Sequence, residues 1–351
     1  GRVFAQNPPG GDKPAAAKES GLVPFALPFY MPETSWGIGW ALLYYDNADK
    51  SNTDHKPNEV MLYGAVTLNR QVSVGISTER YLHDHDYKLS GKVEFSRFPD
   101  LFWGVGPATD EDTDEKYTSV MFRVEGSFLF KVARSFYLGP AYLFINDTMA
   151  KREDGKVLDG GTIPGADGTY SSTLGLQLNW DTRDSIFFPR RGLYADIRAL
   201  ASRDEAGSEY SFSEVKIDLR RFFRISGDHV AGIQGVAELR GGTVPFQSMT
   251  RLGGDMMLRG YYQGRYRDRN FAAAQAEYRF PVAWRFAGTV FGSVGQVAPV
   301  PGELFEGELK AAFGLGIRFI ADTAQHVPLR LDAGFDRDLN PNFYFTIKEA
   351  F

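Results

Sequence analysis

Alternation of apolar and polar side chains with a period of two recurs along this chain and restricts the folds that it can adopt. The pattern is clearest in four segments, residues 214–220, 271–280, 309–319 and 329–336. A period of two gives a β-strand one apolar face and one polar face. A soluble β-sandwich shows the same alternation, but a closed barrel uses it on every strand. Its frequent repetition over 351 residues therefore favours one large barrel.

About sixteen strands are predicted from the alternation and from the turn residues that separate the segments. The predicted strands cover residues 34–46, 58–69, 71–83, 86–98, 101–109, 116–132, 134–148, 169–182, 191–203, 210–225, 228–242, 270–282, 284–298, 307–321, 327–336 and 342–351. Outer-membrane barrels have an even number of antiparallel strands, each needing only ~9–11 residues to cross the bilayer. The sequence thus predicts an all-β fold, a transmembrane antiparallel β-barrel over residues 34–351.

The first 33 residues are predicted to lie outside the barrel wall. Residues 6–20 are rich in alanine, proline, glycine and lysine, a composition typical of disorder. Pro24 and Pro28 interrupt the apolar residues 22–30, and proline cannot donate a hydrogen bond to a strand ladder. We therefore expect residues 1–33 to form a disordered or periplasmic segment, with 22–30 against the periplasmic rim or inside the lumen.

Connection lengths assign the two ends of the predicted barrel, because outer-membrane barrels have long extracellular loops and short periplasmic turns. The predicted extracellular connections are residues 46–57, 83–86, 110–115, 150–168, 204–209, 243–269, 299–306 and 337–341. The predicted periplasmic turns include residues 69–70, 99–100, 133–134, 226–227 and 282–283. A further strand at 22–30 would invert this pattern, so the prediction excludes one.

Composition indicates which cell compartment the protein occupies and which kinds of partner it binds. The chain has no cysteine and a net charge of -5. A lack of thiols suits an oxidising compartment, and the negative charge argues against a nucleic-acid partner. No apolar run approaches the ~18 residues of a membrane helix. Val3-Phe4-Ala5, before Gln6, is similar to the end of a signal-peptidase site. We therefore expect export by a signal peptide and contact with the outer-membrane lipid bilayer.

Two connections carry marked motifs. The longest, residues 243–269, contains Leu258-Arg259-Gly260-Tyr261. The other contains Asp181-Thr182-Arg183-Asp184 and then Phe188-Pro189-Arg190-Arg191-Gly192. The last predicted strand ends at Phe351. Over residues 34–351 these features resemble the surface-antigen superfamily of outer-membrane barrels, to which BamA, TamA and the two-partner secretion transporters belong.

The resemblance implies a role for the tetrapeptide, which is similar to the signature of that superfamily's sixth extracellular loop. There the loop folds into the lumen and its arginine pairs with acidic residues of the wall. Glu277 is the natural partner of Arg259 because it lies on the polar face of the strand after the loop. The family pattern Phe-any-Asp-any-Gly reads Phe291-Gly292-Ser293-Val294-Gly295 here, so Ser293 replaces an aspartate. From the residues alone, a solvated Arg259 stays an alternative.

The other motifs would have roles at the periplasmic end and in assembly. Asp181, Arg183, Asp184, Pro189 and Gly192 look like the superfamily's periplasmic turn after the eighth strand. Phe351 is similar to the terminal aromatic that marks such barrels for the assembly machinery. Glu349, at the third-last position, departs from the alternating pattern of that signal.

The resemblance implies a non-enzymatic role in outer-membrane biogenesis, namely insertion or translocation of protein or lipid. Only about thirty residues precede the predicted barrel, too few for the POTRA domains of the superfamily's insertases, so separate periplasmic or lipoprotein subunits are expected. A passive or gated solute pore is the alternative. A hydrolase is the third hypothesis, based on His83-Asp84-His85-Asp86 and the acidic run 110–115, which also suit solvated loops. No cofactor and no metal is expected.

Overall fold

The computed structural model describes residues 20–46, 58–186, 188–322, 327–347 and 349–351. The strands are β1 Ser20–Met31, β2 Ser35–Asp46, β3 Asn58–Thr67, β4 Val72–Leu82, β5 Tyr87–Phe102, β6 Glu115–Ala133, β7 Phe136–Arg152, β8 Gly168–Asp181, β9 Gly192–Ser202, β10 Phe212–Ser226, β11 His229–Gly242, β12 Thr250–Leu252, β13 Tyr266–Asp268, β14 Asn270–Ala283, β15 Phe286–Ala298, β16 Lys310–Asp322, β17 Val327–Phe335 and β18 Pro341–Ile347. Short 3₁₀ helices cover Glu111–Thr113, Asp204–Ala206, Phe246–Ser248 and Pro301–Phe305. No helix among the described residues has the length and hydropathy to cross a membrane.

Sixteen strands close into one barrel, and β12 with β13 forms a separate ribbon within residues 243–269. Each strand of the barrel is antiparallel to both of its neighbours in the wall, and β1 meets β18 to close it. The prediction of an antiparallel barrel of about sixteen strands is confirmed.

The outer face is apolar and the inner face is charged, which suits a lipid-facing wall. On β16, Phe313, Leu315 and Ile317 are about half exposed, whereas Ala312 and Arg318 on the other face are 2% and 0% exposed. The apolar residues of the alternating pattern therefore face outwards, and the residues between them face the lumen.

Residues 20–31 form the first barrel strand, so the exclusion of 22–30 from the wall is wrong. β1 pairs with β2 over its whole length. Towards β18, its only pair among the described residues is Tyr30 with Phe345. Proline is compatible with an edge strand, where some N–H groups have no ladder partner. Pro24 and Pro28 are tolerated because β1 has such an edge. Residues 1–19 lie outside the described residues.

The segments 86–98 and 101–109, predicted as two strands, are mostly covered by the single strand β5. Pro99 and Asp100, predicted as a turn, continue the pairing of β5 with β6. β5 pairs with β4 only as far as Arg97, the partner of Val72 at the start of β4. Pro99 therefore lies beyond the end of β4, and its missing N–H costs no hydrogen bond to that strand. The prediction omits β1 but counts β5 as two strands, so the predicted total of sixteen is still correct.

Because of these two errors, the first connections of the chain lie at the opposite end of the barrel from the one predicted. We call the end with residues 243–269 the extracellular end and the other the periplasmic end. Residues 83–86 lie at the periplasmic end and residues 68–71 at the extracellular end, opposite to the prediction. The predicted connection 46–57 falls mainly outside the described residues, but the ends of β2 and β3 that flank it are periplasmic. From residue 103 onwards the predicted ends are those of the structure.

Candidate functional site

Loop six, residues 243–269, is held against the inner wall by apolar contacts. Leu252 and Leu258 are fully buried in a cluster that includes Phe271 of β14 and Val297 of β15. The ribbon of β12 and β13 stiffens the loop, since Leu252 pairs with Tyr266 at its inner end. These contacts bring the tip of the loop to the polar face of the last five strands.

Arg259, at the tip, is buried between two carboxylates and an aromatic ring. Its Nη2 donates to Glu277 Oε2 at 2.8 Å, and its Nη1 donates to Asp332 Oδ2 at 2.7 Å. The guanidinium carbon lies 3.5 Å from the ring centroid of Phe291. All three charged side chains are inaccessible to solvent. Such burial requires close charge compensation, and the ring adds a cation–π contact.

Ser293 does not bind Arg259 in this arrangement. Its hydroxyl donates to the main-chain oxygen of Ala312 at 3.4 Å. The second carboxylate comes instead from Asp332 on β17, two strands further round the wall. The prediction missed Asp332, although its position between Leu331 and Ala333 in an alternating strand marks it as inward-facing.

The two carboxylates belong to a larger ion network in the lumen. Arg279 Nε donates to Glu277 Oε1 at 2.7 Å. Arg318 donates to Asp332 Oδ1 and, at 2.8 Å, to Glu349 Oε2. The members comprise four arginines and four acids, namely Arg259, Arg279, Arg318, Arg330, Asp255, Glu277, Asp332 and Glu349. Equal numbers of opposite charges allow the buried network to be neutral.

Two glycines let the backbone of loop six lie directly on β17. A Cβ on Gly334 would be 2.4 Å from the main-chain oxygen of Arg259, and a Cβ on Gly260 would be 2.6 Å from the carbonyl carbon of Phe335. Gly260 also has a φ of +136°, which side chains rarely adopt. The close approach therefore requires the glycine of the motif, Gly260.

Residues 349–351 turn into the lumen instead of continuing β18, so the predicted last strand 342–351 is too long. Phe351 is 3% exposed, and its ring stacks on Phe222 with centroids 5.7 Å apart. Its main-chain oxygen accepts a hydrogen bond from Arg279 Nη2 at 3.2 Å. Glu349 departs from the terminal pattern because it bonds Arg318. Recognition of Phe351 by an assembly machinery stays a prediction.

The turn after β8 lies at the periplasmic end and is held by its own side chains. Arg183 Nη2 bonds Asp181 Oδ2 at 2.8 Å, and Asp184 Oδ1 accepts from the main-chain nitrogen of Arg190 at 2.9 Å. Gly192 has a φ of +111°, and a Cβ there would be 2.3 Å from the main-chain oxygen of Thr182.

This turn is also tied to the ion network. The main-chain oxygen of Pro189 accepts from Arg279 Nη1 at 3.2 Å. Arg279 in turn shares Glu277 with Arg259 of loop six. The structure thus joins the two predicted motifs through Glu277 and Arg279.

An aromatic cluster joins loop six to the wall near the extracellular end. Phe246 of loop six packs with Phe102 and Tyr117 of the wall and with Leu158 of the connection 153–167. Arg267 lies over the ring of Phe246 at 4.1 Å and donates to Tyr117 Oη at 3.1 Å. Loop six is therefore fixed to the opposite side of the barrel as well.

Two cavities of about 270 and 290 Å³ lie on the two sides of loop six. Both are bounded by Gln247, Arg251 and Gln263 of the loop. The first is lined by the wall from β6 to β11, and the second by β4 to β7. The same three loop residues therefore line one cavity on each side of loop six.

The two segments considered for catalysis, residues 83–86 and 110–115, lie at opposite ends of the barrel. Residues 83–86 form a tight periplasmic turn in which His83, Asp84 and His85 have positive φ angles. Asp110 instead lies in an extracellular connection, where its side chain caps the 3₁₀ helix Glu111–Thr113. In the described part of the chain, no three His, Asp or Glu side chains are arranged to hold a metal ion.

Comparisons with known proteins agree with this architecture. Residues 56–351 match the model of the Omp85 superfamily domain. The structure is similar to BamA from Haemophilus ducreyi lacking POTRA domains 1-3, with a TM-score of 0.63, 14% identity, and coverage of 94% of this chain and 70% of that chain. It is also similar to CdiB from Acinetobacter baumannii, with a TM-score of 0.57, 12% identity, and coverage of 95% of this chain and 60% of that chain. No curated protein matches the sequence. At these identities the structural likeness shows the fold alone.

Proposed function

This chain belongs to the Omp85 superfamily, whose barrel is an outer-membrane fold, and we propose that it acts in outer-membrane biogenesis. The proposed role is non-enzymatic: insertion or translocation of protein or lipid across or into the membrane. The proposal includes export by a signal peptide and separate periplasmic or lipoprotein subunits that deliver the client.

The incompletely paired seam between β1 and β18 carries the proposal. Among the described residues, β1 pairs with β2 through twelve residue pairs and β17 pairs with β18 through seven, whereas β1 and β18 share one, Tyr30 with Phe345. Unpaired N–H and C=O groups of an edge strand are a template for another strand. A seam of this kind suits a protein that passes β-strands or lipid sideways into the bilayer.

The filled lumen supports biogenesis over conduction. Barrels of about sixteen strands enclose an aqueous channel in porins. Here loop six crosses the lumen, and its Phe246 joins the cluster at the extracellular mouth. The second candidate function is a gated solute pore, which the two cavities beside loop six favour.

Locking the seam tests the proposal. The chain has no cysteine, so the pair Tyr30→Cys and Phe345→Cys is its only possible disulfide. The purified protein is reconstituted in liposomes with an unfolded outer-membrane barrel as client, and client folding is followed by heat-modifiability. Oxidation should abolish the acceleration of client folding, and reduction should restore it.

A matched pair controls for the disulfide itself. Val74 and Phe95 are register partners on β4 and β5, and both side chains face outwards. The pair Val74→Cys and Phe95→Cys should leave client folding unchanged when oxidised. Equal client folding with the seam locked and open would reject the proposal, and large steady currents through the same liposomes would favour the pore.

A further inference from the structure

Four consecutive residues of loop six, 260–263, form hydrogen bonds to both sides of the seam. On the β18 side, the main-chain N–H of Gly260 donates to Tyr344 Oη at 3.0 Å, and Asn342 Nδ2 donates to the main-chain oxygen of Gly260. Tyr344 is fully buried, and its hydroxyl also donates to the main-chain oxygen of Tyr261 at 3.3 Å. The β18 side of the seam is thus fixed to the tip of the loop.

On the β1 side, the contact is made by Glu33 in the connection between β1 and β2. Its Oε1 accepts from the main-chain N–H of Gln263 at 2.5 Å, and the residue is 4% exposed. The main-chain oxygen of Glu33 accepts from Asn69 Nδ2 at 3.0 Å and Gln71 Nε2 at 2.8 Å. The connection that follows β1 is therefore bonded to loop six and to the next extracellular connection.

We propose that residues 260–263 of loop six are a clasp across the β1–β18 seam, and that the protonation state of Glu33 controls how firmly the clasp closes. The one residue pair that the described residues form across the seam gives β1 and β18 little cohesion of their own. The contacts of Gly260 and Gln263 supply a second connection between the same two strands. The proposal concerns the seam itself and does not depend on the function proposed above.

The surroundings of Glu33 are acidic. Asp255 of loop six and Asp100 of β5 are the neighbouring carboxylates, and Tyr262 and Tyr344 present phenols. The cations beside them are engaged elsewhere. Arg330 bonds Asp255 at 2.7 Å, and Arg251 Nη1 lies 3.7 Å from Asp100 Oδ2. These arginines compensate the two aspartates, and the Glu33 carboxyl is left with two main-chain N–H groups, its own and that of Gln263.

The clasp should tighten as the pH falls. Burial raises the pKa of Glu33 to about 7, and Asp255 and Asp100 add to this, while the main-chain N–H groups of Glu33 and Gln263 oppose the shift. Because this pKa is raised above the ordinary value, the closed clasp favours the neutral carboxyl. Its stabilisation is full below about pH 4.5 and is lost as the pH rises through about 7. Above that pH, an ionised carboxylate beside two aspartates favours opening.

Distances across the seam test the clasp. Ala26 of β1 and Phe343 of β18 face outwards, and nitroxide labels on Ala26→Cys and Phe343→Cys report the seam by pulsed electron spin resonance. The labelled full chain is measured in lipid nanodiscs without a client. A short-distance population is expected at pH 5.5, and a second, longer one should grow with a midpoint near pH 7.

Two variants separate the clasp from general effects of pH. Glu33→Gln imitates the neutral carboxyl and should keep the short distance at both pH 5.5 and pH 8.5. Glu205→Gln, in the exposed 3₁₀ helix Asp204–Ala206, should respond as the unsubstituted protein does. Distances that do not change with pH in the unsubstituted protein, or that change equally in Glu33→Gln, would overturn the proposal.

Discussion

Asp332 and Arg259 form a buried ion pair at 2.7 Å, although Asp332 lies on β17 and two strands away from Ser293, where the superfamily pattern has its aspartate. Glu277 on β14 holds the other side of the same guanidinium at 2.8 Å. Arg259 therefore links loop six to both β14 and β17, and the replacement at Ser293 leaves it with two carboxylates.

Removal of the Arg259 guanidinium should destabilise the barrel. Arg259→Ala leaves two carboxylates buried with less compensation, and breaking a buried ion pair from one side costs about 3–5 kcal/mol. Urea titration followed by heat-modifiability measures the loss. A double-mutant cycle with Glu277→Gln should show coupling above about 0.5 kcal/mol. The exposed Arg70→Ala is the control, and coupling near zero would mean that Arg259 is solvated.

Restoring the family aspartate should weaken the barrel. Ser293→Asp would add a fifth carboxylate, itself buried, to a network of four arginines and four acids. An uncompensated buried charge is costly, so the midpoint of urea unfolding should fall. Ser293→Ala loses one neutral hydrogen bond, worth about 1 kcal/mol, and is the milder control. A higher midpoint for Ser293→Asp would show that Arg259 can accept a third carboxylate.

The alternation predicts the barrel because it is a local property of each strand, and it marks Glu277 as inward-facing. The predictions that fail depend on contacts between residues that are far apart in the chain. Pro24 and Pro28 argue against a central strand, but nothing local shows that β1 has a nearly free edge. The pairing of Arg259 with Asp332 depends on which strands of the wall loop six reaches, and the two residues are 73 positions apart in the chain. The inward turn of Phe351 likewise depends on Arg279, which lies on another strand.

The close approach of loop six to β17 should be lost when a methyl group is placed between them. Gly334→Ala puts a Cβ 2.4 Å from the main-chain oxygen of Arg259, where backbone must move. Overpacking of this kind costs about 1–3 kcal/mol. Gly235→Ala on β11 meets no atom within 4 Å and is the matched control. Equal urea midpoints for the two variants would contradict the predicted contact.

Loop six should keep the conductance of the barrel low. Its residues Gln247, Arg251 and Gln263 separate the two cavities of the lumen, so deletion of residues 250–268 should join them and raise single-channel conductance in planar bilayers. Deletion of the exposed helix Asp204–Ala206, which lies outside both cavities, should not. A large steady current before the deletion would favour the pore.

Cysteine labelling on intact cells should distinguish this topology from the one that alternation alone predicts. Asp159 and Arg70 lie in extracellular connections, whereas Asp84 and Ser226 lie at the periplasmic end. A membrane-impermeant maleimide should therefore modify Asp159→Cys and Arg70→Cys, and should modify Asp84→Cys and Ser226→Cys only after permeabilisation. Asp159 and Ser226 have the same ends in both topologies and serve as controls. Labelling of Asp84→Cys without labelling of Arg70→Cys on intact cells would mean that β1 is not part of the wall.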